Sequence, residues 1–323
     1  KEGDPMKTPR ILLLAAALAF GLSSATAGAE TRVTYKAAKA GTSYYQMAVQ
    51  IAEAVKAGTG GDIIVTVEES QGSVQNVMEA AGRGANYIFT SPPELVAKAV
   101  RGEKPFEPKE AAFDKIRGLF PIPSLTMHYV VREDAGVKTF ADLAGKSFVT
   151  GKGSFGATEA VKHLKLFGLE GRVKVIDIEL SGAGAAMKNR QVDGFATSSS
   201  WPAPNVIEAA AGTPIRLLSM SEEQLGQTGS TRITIPAGTY PGVDYDVATT
   251  SLPVIAYALA DMDEATAYQL TRSYWAGRDG MGKANGWWAG VTPALLDNVP
   301  VKLHPGALKY YAEAGIPVPE RLK

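Results

Sequence analysis

The segment RVTYKAAKAGTSYYQMAVQIAEAVKAGTGGDIIVTV, residues 32–67, contains two kinds of hydrophobic spacing. Residues 32–37 have the composition of a β-strand, and residues 63–67 are β-branched and predict a second strand. Between them, apolar residues recur three or four positions apart, as on one face of a helix: Ala48, Ile51, Ala52 and Val55. Strand, helix and strand in this order predict a parallel sheet covered by helices.

The same alternation continues along the chain. A helix is predicted from Ser73, with an apolar stripe at Val74, Val77, Met78 and Ala81. Further strands are predicted over residues 87–90, 127–132, 146–150, 173–178, 194–197, 215–218 and 252–259. Further helices are predicted from Ala157, over residues 184–190, and from Ala203, Asp263 and Pro305. The expected fold class is therefore α/β.

These elements group into two lobes. Residues 30–128 supply a first sheet, and residues 129–245 supply enough strands for a second one. Residues 246–323 follow a segment rich in proline and glycine and hold too few elements for a domain of their own. We therefore expect this last segment to return to the first lobe. Two hinge strands would then join the lobes, near residues 126–132 and 246–253.

The N-terminal segment, residues 1–29, predicts export. Residues 1–5 precede Met6, which we take as the natural start, and two basic residues follow it. Residues 11–21 are an unbroken apolar run, and small residues with A-x-A spacing come next. This order is typical of a secretory signal peptide, so we expect a periplasmic protein. A buried N-terminal helix is the alternative, and a membrane anchor fits less well because the run is too short to span hydrocarbon.

Composition narrows the classes of function. The 323-residue chain has 33 basic and 33 acidic residues and a formal net charge of zero. Nucleic-acid binding usually needs a basic stripe, so we expect no nucleic-acid partner. The chain has no cysteine, which excludes disulfides and thiolate metal sites. His128, His163 and His304 lack metal-ligand spacing and no nucleophile motif is present, so we expect neither a metal site nor an enzyme.

The loops that lead from strands into helices are the candidate binding loops. Ligands of open parallel sheets bind outside the carboxyl ends of the strands, and two facing sheets leave a crevice there. Hydroxyl groups and the free N–H groups of helix starts suit an anion. The candidate ligand-binding residues are Thr42, Ser43, Tyr44, Tyr45, Ser70, Ser73, Ser91, Gly153, Ser154, Thr158, Ser198, Ser199 and Trp201. Helix capping is the competing interpretation for the hydroxyl residues, and packing is the one for Trp201.

One of these loops, residues 151–156, reads G-K-G-S-F-G and matches the dinucleotide fingerprint G-x-G-x-x-G. It follows a predicted strand and opens a helix, and Asp177 lies about twenty residues further on. A single match is weak, because the same backbone geometry binds any small anion. We therefore expect no nucleotide cofactor and assign the loop to anion binding.

The five candidate loops contain no carboxylate, although Glu69 and Glu159 flank two of them. A desolvated ammonium group normally needs a carboxylate partner. We therefore expect a small-molecule ligand that is an organic acid without an ammonium group. An amino acid, such as glutamate or glutamine, is the alternative.

The ordered motifs of these loops resemble one family. They are G-T-S-Y-Y from Gly41, E-S-Q-G-S-V-Q-N from Glu69, G-K-G-S-F-G-A-T-E from Gly151, S-S-W-P-A-P-N from Ser199, and H-P-G-A from His304. Over nearly its whole mature length, the chain resembles the TRAP-associated extracytoplasmic immunogenic (TAXI) family. These are substrate-binding proteins of tripartite ATP-independent periplasmic (TRAP) transporters.

The resemblance implies a type II periplasmic binding protein fold, an integral membrane TRAP transporter as partner, and glutamate or a small dicarboxylate as ligand. It implies binding roles for Thr42, Ser43, Tyr44 or Tyr45, Ser70, Ser73, Ser91, Ser154, Thr158 and Ser199. The chain departs from the family pattern at Asn86 and Pro92, where the family often has aspartate. A ligand-sensing module for a membrane receptor shares the implied fold and is a further alternative.

Overall fold

The computed structural model of the protein describes Gly3, residues 30–151 and residues 154–323. Apart from Gly3, the predicted signal peptide lies outside the described residues. The candidate residue Gly153 also lies outside them. In the described parts of the chain, no helix is long and apolar enough to cross a membrane.

The described residues form ten strands and nine α-helices, joined by loops and short 3₁₀ turns. The strands are β1 Thr31–Lys36, β2 Ile63–Glu68, β3 Tyr87–Ser91, β4 Ile116–Arg132, β5 Ser147–Val149, β6 Lys174–Ile176, β7 Gly194–Ser199, β8 Ile215–Leu217, β9 Thr231–Ile235 and β10 Val247–Leu259. The helices are α1 Ser43–Gly58, α2 Ser73–Ala80, α3 Pro93–Arg101, α4 Phe155–Leu166, α5 Ala183–Lys188, α6 Pro204–Gly212, α7 Glu222–Thr228, α8 Glu264–Ala284 and α9 Pro305–Glu313.

All ten strands belong to one mixed sheet. Its order is β2-β1-β3-β10-β4-β7-β5-β6, with β8 paired to β4 and β9 paired to β10. Strands β2, β1 and β3 are parallel, as are β7, β5 and β6. The long strands β4 and β10 run antiparallel to each other between these two parallel groups. The predicted α/β fold, with two mainly parallel groups of strands joined by two shared strands, is confirmed.

The two shared strands change partners part-way along their length. β4 pairs with β10 as far as Thr126 and with β7 from Thr126 onwards. β10 pairs with β9 as far as Ser251, which lies opposite Thr126. The register then shifts between Leu252 and Val254, at Pro253, which has no N–H group to donate. The changeover falls inside both predicted hinge segments, and the lobe boundaries themselves stay predictions.

Two groups of buried apolar side chains stabilise the fold. The larger group surrounds β1, β3, α1 and α8, and in it Phe120 and Tyr274 stack with ring centroids 3.9 Å apart. The smaller group lies around β7, α5 and α6 and includes Phe195 and Val206. Full burial of one such side chain contributes about 1.5–3 kcal/mol. The segment after α8 packs on α1, where Trp288 donates through Nε1 to Gln50 Oε1 at 2.9 Å.

Several elements differ from the sequence prediction. β4 begins at Ile116, well before the predicted start at Met127. Its first half contains Gly118, Pro121 and Pro123. Glycine and proline are unfavourable inside strands, so the sequence pattern did not predict a strand there. Helices α3 and α7 and strand β9 were also not predicted as elements.

The buried face of α2 differs from its predicted apolar stripe. The buried residues are Ser73, Asn76, Val77 and Ala80. Met78, which the sequence placed on the stripe, is 45% exposed. Hydrogen bonding determines which face of α2 is buried. Asn76 lies on the buried face because its Nδ2 donates to the carbonyls of Ala37 and Thr90 at 2.7 and 2.8 Å. These two bonds fix the start of α2 on the carboxyl ends of β1 and β3.

Candidate functional site

A cleft of about 140 Å³ lies where both halves of the sheet present the carboxyl ends of their parallel strands. Three helices, α1, α2 and α4, begin at this cleft. Seven candidate residues line it: Thr42, Ser43, Tyr44, Ser73, Ser154, Ser198 and Ser199. A protein cavity of about 150 Å³ holds benzene, so the cleft fits a small organic molecule.

The starts of α2 and α4 face each other across the cleft. α2 has no side-chain cap, because the residue before it is Gly72, whose φ of +117° suits glycine. α4 is capped by Ser154, whose Oγ accepts from the Ala157 N–H at 3.0 Å. A Cβ on Gly72 would lie 3.8 Å from Cα of Ser154, so the two backbones nearly touch. Unpaired N–H groups and aligned peptide dipoles at the two helix starts favour a negative group between them.

The start of α1 forms the adjacent wall. Thr42 Oγ1 accepts from the Tyr45 N–H at 3.4 Å and donates to the Lys39 carbonyl at 2.7 Å, so Thr42 caps the helix. The Tyr44 hydroxyl is buried and has no hydrogen-bond partner among the described residues. Burial raises the pKa of Tyr44 well above its ordinary value. The hydroxyl therefore keeps its proton and is able to donate it to a ligand.

Ser43 connects the two sides of the cleft. Its Oγ accepts hydrogen bonds from the Ser199 hydroxyl at 2.9 Å and from the Ser200 N–H at 3.1 Å. Ser200 in turn donates through Oγ to the Ser124 carbonyl of β4 at 2.9 Å. Ser43 acts only as an acceptor in its two bonds, so its own proton is available to a ligand.

The loop after β7 and the start of α6 form the opposite wall. A Cβ on Gly156 would lie 2.9 Å from the Ser198 Cβ, so this contact requires glycine. The Ser198 hydroxyl is buried without a partner in the described part of the chain. Asn205 donates through Nδ2 to Thr197 Oγ1 at 3.1 Å, and its Oδ1 is buried with no donor among the described residues. This wall thus presents both a hydroxyl and an unpaired acceptor.

Three charged side chains line the cleft: Lys39, Glu179 and Glu208. In the described residues, none of the three forms an ion pair within 4 Å. The five candidate loops contain no carboxylate, but the cleft does, so the expectation of a ligand without an ammonium group loses its support. Glu179 follows β6 and Glu208 lies on α6, and both segments are outside the five loops from which that expectation came.

Residues 36–315 match the NMT1-like family. The chain belongs to this family.

Similar solved structures include the periplasmic binding protein BugD, at 12% identity and a TM-score of 0.57, covering 90% of this chain and 99% of that one. MatC from Rhodopseudomonas palustris with bound malate is 12% identical, with a TM-score of 0.55 and coverage of 83% and 96%. A structure described as a periplasmic transporter is 11% identical, with a TM-score of 0.54 and coverage of 88% and 92%. At these identities the likeness shows the fold, which the NMT1-like chain shares with periplasmic binding proteins.

Five candidate residues of this NMT1-like chain do not line the cleft: Tyr45, Ser70, Ser91, Thr158 and Trp201. Ser70 Oγ accepts from the Gly72 N–H at 3.0 Å, and Ser91 Oγ donates to a carbonyl of α2 at 3.0 Å, so both shape the start of α2. Thr158 is exposed on α4, and Trp201 packs against the smaller apolar group. A direct contact between any candidate residue and a ligand stays a prediction.

Glu179, Asn205 and Glu208 were missed as cleft residues by sequence reasoning. Asn205 is the last residue of the S-S-W-P-A-P-N motif, and Glu208 follows one turn later on the same helix face. Glu179 lies three residues after the end of β6. Had the rule for loops after parallel strands been applied to β6 and to the first turn of α6, it would have indicated all three.

The two carboxylates that flank the candidate loops have other partners. Glu69 Oε1 accepts from the Ala40 N–H at 2.9 Å. Glu159 is buried on α4, with its Oε2 3.5 Å from Lys162 Nζ and 3.8 Å from His163 Nε2. Burial raises the pKa of Glu159 above its ordinary value. Neither side chain lines the cleft.

A buried histidine supports the loop after β7. The Tyr240 hydroxyl accepts from the Ala203 N–H at 2.7 Å and donates to His128 Nε2 at 2.8 Å. His128 Nδ1 donates to the Thr126 carbonyl at 2.9 Å, so this arrangement requires a neutral imidazole. Burial lowers the pKa of His128 to about 4. Across the described residues, no cluster of histidine, aspartate and glutamate is suited to a metal ion.

Proposed function

We propose that this chain is an extracytoplasmic solute-binding protein that captures a small carboxylic acid in the cleft and delivers it to a TRAP-type membrane transporter. The observation that carries the proposal is the meeting of two helix starts, Gly72 with α2 and Ser154 with α4, across one small cleft. Each start belongs to a different half of the sheet. A ligand between them contacts both halves, as capture by closure requires.

The physical basis is anion binding by backbone groups. A hydrogen bond from an N–H group to a carboxylate contributes about 1.5–3 kcal/mol, so a few oriented donors replace a basic side chain. The hydroxyl groups of Ser43 and Tyr44 add two further donors at the same wall. Such donors surround a carboxylate without adding a full positive charge to the cleft.

Two further observations support a carboxylic acid as the ligand. The cleft has the volume of a small organic molecule. The MatC structure, which shares the fold, is described with malate bound. An amino acid is the second candidate, because Glu179 and Glu208 offer unpaired carboxylates that an ammonium group would neutralise.

Delivery to a TRAP transporter, like membership of the TAXI family, rests on the loop motifs described above, and periplasmic location rests on the signal peptide predicted in residues 1–29. The match to the NMT1-like family and the fold shared with periplasmic binding proteins support this part of the proposal. Proteoliposomes that contain TRAP membrane subunits test it directly. Uptake of the bound acid should depend on this chain, and uptake at the same rate without it would contradict the proposed partnership.

Ligand capture is tested on protein purified without refolding. Native mass spectrometry should reveal a carried molecule of small mass. Titration calorimetry with succinate, malate, 2-oxoglutarate, glutamate and glutamine should then show binding of at least one carboxylic acid in a 1:1 ratio. Failure of every acid to bind, with no carried acid in the mass spectrum, would contradict the proposed function.

A further inference from the structure

We propose that Asn205 and Glu208, one turn apart on α6, form a subsite for a hydrogen-bond donor of the ligand. Together with the anion-binding helix starts, this subsite makes the protein selective for carboxylic acids that carry a hydroxyl or ammonium group over the same acids without one. The inference rests on the proposed function, because it assumes that the ligand has a carboxylate.

The first observation is the unpaired acceptor of Asn205. Its Nδ2 donates to Thr197 Oγ1 at 3.1 Å, which anchors the side chain to the end of β7. Asn205 lines the cleft, and its Oδ1 is buried and receives no hydrogen bond from the described residues. A buried acceptor without a donor is costly, and native proteins normally satisfy such groups. A donor group on the ligand would satisfy Oδ1.

The second observation is the charge next to this acceptor. Glu208 lies three residues after Asn205, on the same face of α6, and also lines the cleft. It has no cationic partner within the described residues. Glu179 adds a second carboxylate to the cleft, and among the described residues Lys39 is the one cationic side chain that lines it. This balance of described charges favours a ligand with a positive or donor group over one that is only an anion.

The third observation is the asymmetry between the two walls. The wall formed by α1 and α2 presents donors: the Tyr44 hydroxyl, the proton of Ser43 and the uncapped start of α2. The wall formed by α6 and the loop after β7 holds the acceptors, Asn205 Oδ1 and the Glu208 carboxylate, together with the Ser198 hydroxyl. A ligand with a carboxylate at one end and a donor at the other matches both walls at once. A ligand without the donor leaves Oδ1 unpaired.

Three acids on one carbon skeleton provide the test: succinate, malate and aspartate, which carry hydrogen, hydroxyl and ammonium at the same carbon. Calorimetry on the full chain should show malate or aspartate binding about ten- to a hundredfold more tightly than succinate. Asn205→Leu should remove most of this preference while changing succinate affinity by less than about threefold. Glu208→Gln should weaken aspartate more than malate, because only aspartate brings a positive charge.

Glu223→Gln is the matched control, since Glu223 is an exposed carboxylate on α7 that does not line the cleft. It should leave all three affinities unchanged. Because Glu208 is exposed, Glu208→Gln should fold normally, so it still tests the subsite if Asn205→Leu is unstable.

Equal binding of the three acids to the native chain, or equal weakening of all three by both α6 variants, would overturn the subsite while leaving the proposed function standing. If succinate, malate, aspartate and their five-carbon homologues all fail to bind, the proposed function fails and the subsite with it.

Discussion

The Ser43 hydroxyl oxygen, at the start of α1, accepts a 2.9 Å hydrogen bond from the Ser199 hydroxyl at the end of β7. The two residues are 156 positions apart and belong to different halves of the sheet. The bond lies in the wall of the cleft, where a ligand would contact both residues. It therefore links the geometry of the site to the approach of the two halves.

We expect this bond to stabilise the closed cleft. Ser199→Ala should weaken binding of the preferred acid by about fivefold, the equivalent of about 1 kcal/mol. Ser43→Ala should weaken it more, because it also removes the proposed hydrogen bond from Ser43 to the carboxylate. The double variant should lose little more than Ser43→Ala alone, because both changes remove the same bond. Calorimetry measures the affinities, and small-angle scattering of the native chain should show compaction when the acid is added. Losses that simply add would show that the two hydroxyls act independently.

A negative charge at the start of α4 should abolish ligand binding. Ser154→Asp keeps an N-cap side chain, so the helix should remain folded, while its carboxylate repels that of the ligand. The expected loss is about a hundredfold or more in affinity, which calorimetry measures. Ser221→Asp, at the cap of α7 away from the cleft, is the control and should bind normally. Unaltered affinity in Ser154→Asp would exclude an anion at this helix start.

The contact between Gly156 and Ser198 should be sensitive to a single methyl group. Gly156→Ala places a Cβ 2.9 Å from the Ser198 Cβ, so the backbone of the binding loop must shift. We expect a loss of about 1–3 kcal/mol in the free energy of unfolding. Ser198→Gly in the same chain should restore part of it. Gly226→Ala, on α7 with no atom near its Cβ, is the control and should not destabilise the chain. Urea unfolding of the native chain and the three variants measures these effects, and an unchanged stability of Gly156→Ala would contradict the close approach.

Stability should fall in mild acid because of His128. Its pKa is about 4 in the folded chain, through burial, against an ordinary value of 6.5. Between these values the unfolded state binds more protons, so the free energy of unfolding falls as the pH drops from 6.5 towards 4. Above pH 6.5 the full contribution is present. The loss attributable to His128 should reach about 3 kcal/mol at most.

Urea unfolding at several pH values, for the native chain and His128→Asn, measures this effect. The variant should be less stable at pH 8, because Tyr240 loses its acceptor. Its stability should then depend less steeply on pH between 6.5 and 4. Parallel curves for the two proteins would show that His128 does not titrate in this window.

The sequence was sufficient for the part of the site that follows from sheet geometry. Parallel strands place their carboxyl ends at one edge, so the loops after β1, β2, β5 and β7 were expected together, and the structure brings them to one cleft. Local helix capping was readable in part, because Thr42 caps α1, whereas Ser73, which fits a cap by sequence, is the first residue of α2. The partner of each hydroxyl group could not be predicted from the sequence. Ser91 and Ser70 donate to backbone carbonyls that are distant in the chain and come close only in the folded protein.

The remaining features depend on tertiary context. The first half of β4 reads as irregular because of its prolines, and only pairing with β10 makes it a strand. Asn76 looks like a surface residue of α2, yet it is buried because two strand-end carbonyls need donors. Glu208 reads as an exposed helix residue, and its place at the cleft follows from how α6 packs, which periodicity alone does not specify.

Pro253 interrupts the ladder between β10 and β4 at the level where the two parallel groups of strands meet. Its position lacks a backbone bond whatever the angle between the groups, because the residue has no N–H to offer. A bend there disturbs fewer backbone hydrogen bonds than one at a residue that donates in the ladder, so contacts across the cleft contribute to the energy difference between an open and a closed arrangement. Under the proposed function, a solute that bridges the two walls would shift this equilibrium towards the closed arrangement by its difference in affinity for the two arrangements.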